Sequence, residues 1–125
     1  MKYAVVFPGQ GAQEVGMGKD FFDHYAASRA VFERSDDALG FSLSRIIFSG
    51  PDDELKKTEF AQPSILAMSM AVFKCMEEEM DIEFSPEFVA GHSLGEYTAL
   101  VASEVLSLED GLRLVHLRGK LMQEA

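Results

Sequence analysis

With 125 residues, 47% of them hydrophobic and 26% charged, the chain has the composition of a globular domain with its own core, not of a disordered segment. The formal net charge of −10 argues against nonspecific nucleic-acid binding, which needs clustered Lys and Arg, so any anionic ligand has to be met by local basic groups. The longest apolar run, Ile65 to Phe73, contains a serine and is far shorter than the ~18 residues of a membrane span, while a single cysteine, Cys75, excludes an internal disulfide framework and fits a reducing cytoplasm.

In chain order, Tyr3-Ala4-Val5-Val6-Phe7 is an apolar run bounded by Pro8-Gly9 and reads as a buried parallel strand. No secretory signal is visible ahead of it. Pro8-Gly9-Gln10-Gly11 follows as a glycine-rich loop whose peptide N–H groups can approach a ligand closely. Gly18 to Tyr25 and Ala26 to Leu39 are predicted helices, the second stopped by Gly40. Gly50-Pro51-Asp52-Asp53-Glu54 is a helix start, with proline in the first turn and acids at the positive end of the dipole. Ala61 to Met80 is predicted as a long, mostly buried helix with methionines (Met68, Met70, Met76) filling the core, and Glu77-Glu78-Glu79 as its solvated end. Glu87-Phe88-Val89-Ala90 is the second predicted strand, followed by a helix to about Ala102. Ser107-Leu108-Glu109-Asp110 resembles a capping box that opens a last helix running to the end of the chain. No cluster of cysteines and histidines suggests a metal site, and none is expected.

Gly91-His92-Ser93-Leu94-Gly95 matches G-x-S-x-G between a predicted strand and a predicted helix, the context in which this pattern makes a nucleophile elbow. The turn projects the Ser93 hydroxyl at the end of the sheet, and the N–H of Leu94 at the helix start can point at a developing oxyanion. Ser93-x-x-Glu96 also fits a capping box, in which the serine only caps the helix. A second oxyanion donor is available from the N–H of Gln10, because loops at the C-terminal ends of parallel strands line the ligand crevice. On spacing alone an ordinary glycine-rich turn is the better reading of this loop, because two glycines in a loop are weak evidence.

Arg118 stands out on the last helix. Its neighbours at i±3 and i±4 are Leu114, Val115, Leu121 and Met122, all apolar, whereas Arg113 and Lys120 have polar surroundings and read as solvent-facing. A guanidinium set into an apolar stripe needs an anion, and Arg suits bidentate capture of a carboxylate. A structural ion pair with an acid elsewhere, or a side chain snorkelling to water, is the alternative. If the last helix returns antiparallel to the one after Ser93, the 11 residues from Ser107 to Arg118 span ~16 Å at 1.5 Å per residue and bring Arg118 level with Ser93.

Phe7-Pro8-Gly9-Gln10-Gly11-Ala12-Gln13, Gln62-Pro63, Gly91-His92-Ser93-Leu94-Gly95-Glu96 and Arg118-Gly119-Lys120 occur in the order seen in malonyl-CoA:acyl carrier protein transacylases, and the chain resembles that family over essentially its whole length. The acyltransferase domains of fatty acid and polyketide synthases share the pattern. The resemblance implies an α/β fold that is part of an α/β-hydrolase-like parallel sheet flanked by helices. Residues 1–125 would be the N-terminal segment of the large acyltransferase subdomain, without the ferredoxin-like subdomain and the C-terminal remainder. It further implies malonyl transfer from malonyl-CoA to the phosphopantetheine thiol of acyl carrier protein through a malonyl-Ser93 ester, with no cofactor. Gln10 and Leu94 would form the oxyanion hole, Arg118 would pair with the free carboxylate, and Gln62 and His92 would line the substrate pocket. The family's histidine base has no counterpart in His24, His92 or His116. Two strands also leave apolar faces uncovered, so a segment that folds poorly by itself is expected. A serine hydrolase and a catalytically silent, carrier-binding segment are the competing readings. Arg118 speaks against the first, since a simple esterase needs no carboxylate anchor.

Overall fold

The computed structural model describes residues 2–80 and 82–125. The order of elements is β1 (Ala4–Phe7), α1 (Lys19–His24), α2 (Ala26–Leu39), α3 (Leu43–Ser49), α4 (Asp52–Leu55), α5 (Thr58–Glu78), β2 (Phe88–Gly91), α6 (Leu94–Ala102) and α7 (Leu108–Glu124). β1 and β2 pair in parallel, with Ala4 opposite Phe88 and Phe7 opposite Gly91. This is a helix-rich α/β arrangement with a small parallel sheet, and both strands end at the same edge.

α5 is the axis of the core. Every residue from Ala61 to Ala67 is buried, so this stretch has no polar side. α2, α3, α6 and α7 pack around it. Phe32, Leu66 and Leu112 are fully buried, and each such side chain contributes roughly 1.5–3 kcal/mol relative to exposure. Met70 is buried and Met68 and Met76 are half-buried, which suits their predicted packing role. Gly40 ends α2 in the left-handed region at φ 77°, its N–H donating to the Asp36 carbonyl at 3.0 Å. Ser107 caps α7 by accepting from the Asp110 N–H at 3.0 Å.

Four local expectations need correction. β1 is not the fully buried strand expected: Val5 and Phe7 face the helices, but Val6 is 70% exposed on the other side beside Phe88 of β2 at 71%, the uncovered apolar face expected of a two-stranded sheet. The alternation of a pleated strand puts neighbours on opposite faces, and only one face of this sheet is covered. The long helix starts at Thr58, three residues before Ala61, and carries Pro63 inside it. α3 lies between the predicted segments; Leu43, Ile46 and Ile47 form its buried stripe and Ser42 accepts from the Arg45 N–H at 3.3 Å. Glu79 is more than a solvated end, because its Oε2 accepts from the Ala27 N–H at 2.6 Å, satisfying an open donor at the start of α2 that Tyr25 cannot cap. No helix among the described residues is long and apolar enough to cross a membrane.

Candidate active site

β2 turns into α6 through Ser93, whose backbone lies at φ 55°, ψ −109°. A non-glycine residue in this region costs on the order of 1–3 kcal/mol and persists only when its surroundings fix it. Three glycines do so. A Cβ on Gly91 would lie 2.0 Å from the Gly95 carbonyl, and one on Gly95 would lie 2.3 Å from the Phe7 carbonyl oxygen. One on Gly9 would lie 2.7 Å from the His92 carbonyl oxygen. Their bare backbones let the strand end, the loop after β1 and the first turn of α6 meet. His92 closes the turn through its backbone, its N–H donating to Phe7 at 3.3 Å and its carbonyl accepting from Gly95 at 3.0 Å.

The Ser93 hydroxyl makes no capping bond, although Ser93 occupies the N-cap position of α6. The capping-box reading therefore does not hold: a left-handed backbone carries the side chain away from the helix N–H groups. The hydroxyl is exposed and meets Nη2 of Arg118 at 3.3 Å.

Arg118 is half-buried. Its Nη1 donates to Oε1 of Gln62 at 2.9 Å, and its Cζ lies 5.3 Å from the centre of the Tyr97 ring. Gln62 is fully buried and donates through Nε2 to Sδ of Met122 at 3.3 Å, which fixes its amide orientation. Gln62 thus stands behind the guanidinium and orients it, rather than lining an open pocket. Among the described residues no carboxylate lies within ion-pair distance of Arg118. Its partners are a neutral amide, a hydroxyl and an aromatic face, so the positive charge is held in place and left unneutralised. The structural ion pair is excluded among these residues.

The apolar stripe around Arg118 is mostly not core. Val115 is buried, but Leu114, Leu121 and Met122 are 41%, 57% and 48% exposed. α7 meets α5 chiefly through Gly111, His116 and Gly119, with Leu112 and Val115 buried alongside them. Leu114, Leu117, Arg118, Leu121 and Met122 line a groove of about 480 Å³. The predicted antiparallel return of α7 does bring Arg118 to Ser93.

Among the described residues the N–H groups of Gln10 and Leu94 donate to no protein acceptor, so both remain available to an outside oxygen. The Gln10 side chain ties its loop to the start of α5, Nε2 donating to Oγ1 of Thr58 at 3.2 Å. His92 is exposed beside Gly9. His24 bonds the Asp20 carbonyl in its own helix and His116 the Glu59 carbonyl, each at 2.8 Å, so neither reaches Ser93. His116 is half-buried against Phe41 and Phe60, because the face it shares with Gly119 is the one that meets α5. Tyr97 carries no signal in the sequence pattern, and Met122 is marked there only as an apolar neighbour of Arg118. Tyr97 lies in the first turn of α6, and its ring meets the Arg118 guanidinium only because α7 returns beside that helix.

Residues 4–125 match the acyl transferase domain family. The malonyl CoA-acyl carrier protein transacylase of Haemophilus influenzae is 48% identical over 99% of this chain and 39% of its own length. Among solved structures, the acyl-carrier-protein-S-malonyltransferase of Bartonella henselae superposes with a TM-score of 0.92 at 52% identity, over 98% of this chain and 40% of its own. A malonyl-transacylase in complex with a type II polyketide synthase acyl carrier protein gives 0.93 at 43% identity, over 99% and 40%. The chain spans 30–40% of the length of the curated relatives it matches. With the family match running from β1 to the end of α7, and the elbow and the arginine facing each other, the chain belongs to the acyl transferase domain family.

Proposed function

We propose that residues 1–125 carry the nucleophile and the carboxylate anchor of a malonyl-CoA:acyl carrier protein transacylase, as the N-terminal segment of its α/β-hydrolase-like subdomain. Ser93 Oγ attacks the thioester carbonyl of malonyl-CoA, the C–S bond breaks, and coenzyme A leaves as the thiol. The phosphopantetheine thiol of acyl carrier protein then attacks the malonyl-Ser93 ester and regenerates the hydroxyl. The N–H groups of Gln10 and Leu94 stabilise the oxyanion in both steps; losing one such donor typically costs about 100- to 1000-fold. His92 contributes to the substrate site from the edge of the elbow.

The observation that carries this reading is the unneutralised Arg118 guanidinium 3.3 Å from Ser93 Oγ. In a malonyl group the carboxylate carbon is two bonds from the thioester carbonyl carbon, so its anchor has to stand this close to the nucleophile. A serine esterase has no use for that charge. The base that takes the Ser93 proton is assigned to a residue outside residues 1–125: His24 and His116 are bound to backbone carbonyls, and His92 adjoins Ser93 on a sharp turn, where neighbouring side chains diverge. The carrier protein as second substrate is supported by the similar malonyl-transacylase solved with its carrier. A coenzyme A reaction and one buried thiol agree with a cytoplasmic enzyme.

The test is intact-mass spectrometry of the whole polypeptide that carries these residues, before and after malonyl-CoA, beside Ser93→Ala. One malonyl adduct that the variant lacks supports the proposal. A folded protein that takes no adduct, or takes it equally without Ser93, overturns it.

A further inference from the structure

We propose that His116 is a positioning residue for the carboxylate anchor: by bonding a carbonyl that Pro63 leaves without its helical donor, it sets the register of α7 on α5 and so the reach of Arg118. The inference rests on the proposed role of Arg118. Pro63 is the sixth residue of α5, where a backbone N–H is due to bond the carbonyl four residues earlier, that of Glu59. Proline has no such donor. Nδ1 of His116 lies 2.8 Å from the Glu59 oxygen and takes its place. A carbonyl can only accept, so the ring proton is on Nδ1. The ring is held against Phe41 and Phe60, with centroids 5.3 and 6.2 Å away.

Two further residues on the same face of α7 grip the same spot. A Cβ on Gly119 would stand 2.6 Å from the Thr58 oxygen and 2.8 Å from the Glu59 Cα, so the helices touch backbone to backbone. Gln123 Oε1 accepts from the Glu59 N–H at 3.4 Å. Arg118 lies between His116 and Gly119 in sequence, and its Nη1 partner, Gln62, is on α5 one turn beyond Glu59. The α5–α7 register therefore sets both guanidinium distances, to Gln62 and to Ser93. A shift of either helix moves the anchor and leaves the elbow, built from β1, β2 and α6, in place.

The test compares His116→Leu with His116→Asn, whose side-chain amide N–H replaces Nδ1–H, in the whole acyltransferase polypeptide with malonyl-CoA and acetyl-CoA. Leu is expected to lower the malonyl-to-acetyl ratio of kcat/KM by about tenfold or more, since a misplacement near 1 Å can cost ~100-fold, and Asn to restore most of it. Acetyl has no carboxylate, so a general loss of folding lowers both substrates and leaves the ratio unchanged. Nitrogen NMR of the wild-type ring is expected to show the proton on Nδ1. A neutral ring protonated only on Nε2, an unchanged ratio in Leu, or an Asn variant as impaired as Leu would each overturn the inference. A wild type that does not prefer malonyl over acetyl sinks the transacylase reading and the positioning role with it.

Discussion

Gly95 in α6 lies so near the end of β1 that a Cβ on it would stand 2.3 Å from the Phe7 carbonyl oxygen. That oxygen accepts from the His92 N–H, so it belongs to the turn that presents Ser93. Gly95→Ala must push α6 off the strand or break the turn. Overpacking of this kind costs about 1–3 kcal/mol. The variant is expected to show a lower urea midpoint and a larger loss of Ser93 acylation than a distant mutation of equal cost. Wild-type stability together with wild-type acylation would show that the contact is softer than the geometry implies.

Arg118 makes a fork, one nitrogen on Gln62 and one toward Ser93, over the Tyr97 ring. Lysine has the charge but neither the fork nor the planar face. Arg118→Lys is therefore expected to lose most malonyl transfer, close to the loss in Arg118→Ala, while acetyl transfer falls far less in both. Hydrogen bonds to a charged group are worth about 1.5–3 kcal/mol, or roughly 10- to 100-fold in malonyl kcat/KM. Steady-state rates with the two thioesters decide it; equal losses on both would mean that Arg118 holds the fold and not the carboxylate.

Much of this arrangement was legible in the residues. Gly40, Ser107 and the G-x-S-x-G turn mark their boundaries through local chemistry, and the structure places the elements there. The approach of Arg118 to Ser93 followed from helix rise and an antiparallel return. What was not legible depends on contacts between distant segments. α5 starts ahead of its apolar run without a local signal: Lys57, its N-cap, makes no side-chain capping bond, and the polar Thr58 and Glu59 open the helix. The exposure of Leu114 and Leu121 depends on which of two apolar stripes on α7 meets α5, and Gly119 and His116 decide that from the other helix face. Sequence periodicity shows that a stripe exists and not what covers it.

Arg34 on α2 holds Glu109 in the first turn of α7 through two bonds, at 2.8 and 2.9 Å. The hydrogen-bonded guanidinium keeps the Glu109 carboxyl below the usual glutamate range, and the carboxylate in turn raises the pKa of Arg34. A depressed folded value means stability that is fully present above the ordinary glutamate pKa of about 4.3 and is lost as pH falls through the folded value. The Arg34 side chain is half exposed to solvent, which limits the gain to about 1 kcal/mol or less. Glu109→Gln is expected to have a slightly lower urea midpoint than the wild type at pH 7 and none of that deficit near the acid limit of folding. A deficit that stays constant with pH would assign it to packing and not to the ion pair.

Gln62 gives the sharpest test of the free charge on Arg118. It is fully buried, and Glu is nearly its equal in volume, so Gln62→Glu keeps an oxygen in the place that now accepts from Nη1. It also puts a carboxylate against the guanidinium and removes the donor to Met122. The new pair neutralises the charge that the substrate carboxylate would otherwise meet. KM for malonyl-CoA is expected to rise by roughly 10- to 100-fold, the worth of a charged hydrogen bond, with acetyl-CoA little affected. Gln62→Leu removes the acceptor without adding charge, so it loosens the guanidinium but leaves it positive, and its malonyl KM should rise less. If Glu and Leu gave the same KM, the guanidinium would matter through its position alone, and its lack of a carboxylate partner would have no bearing on substrate choice.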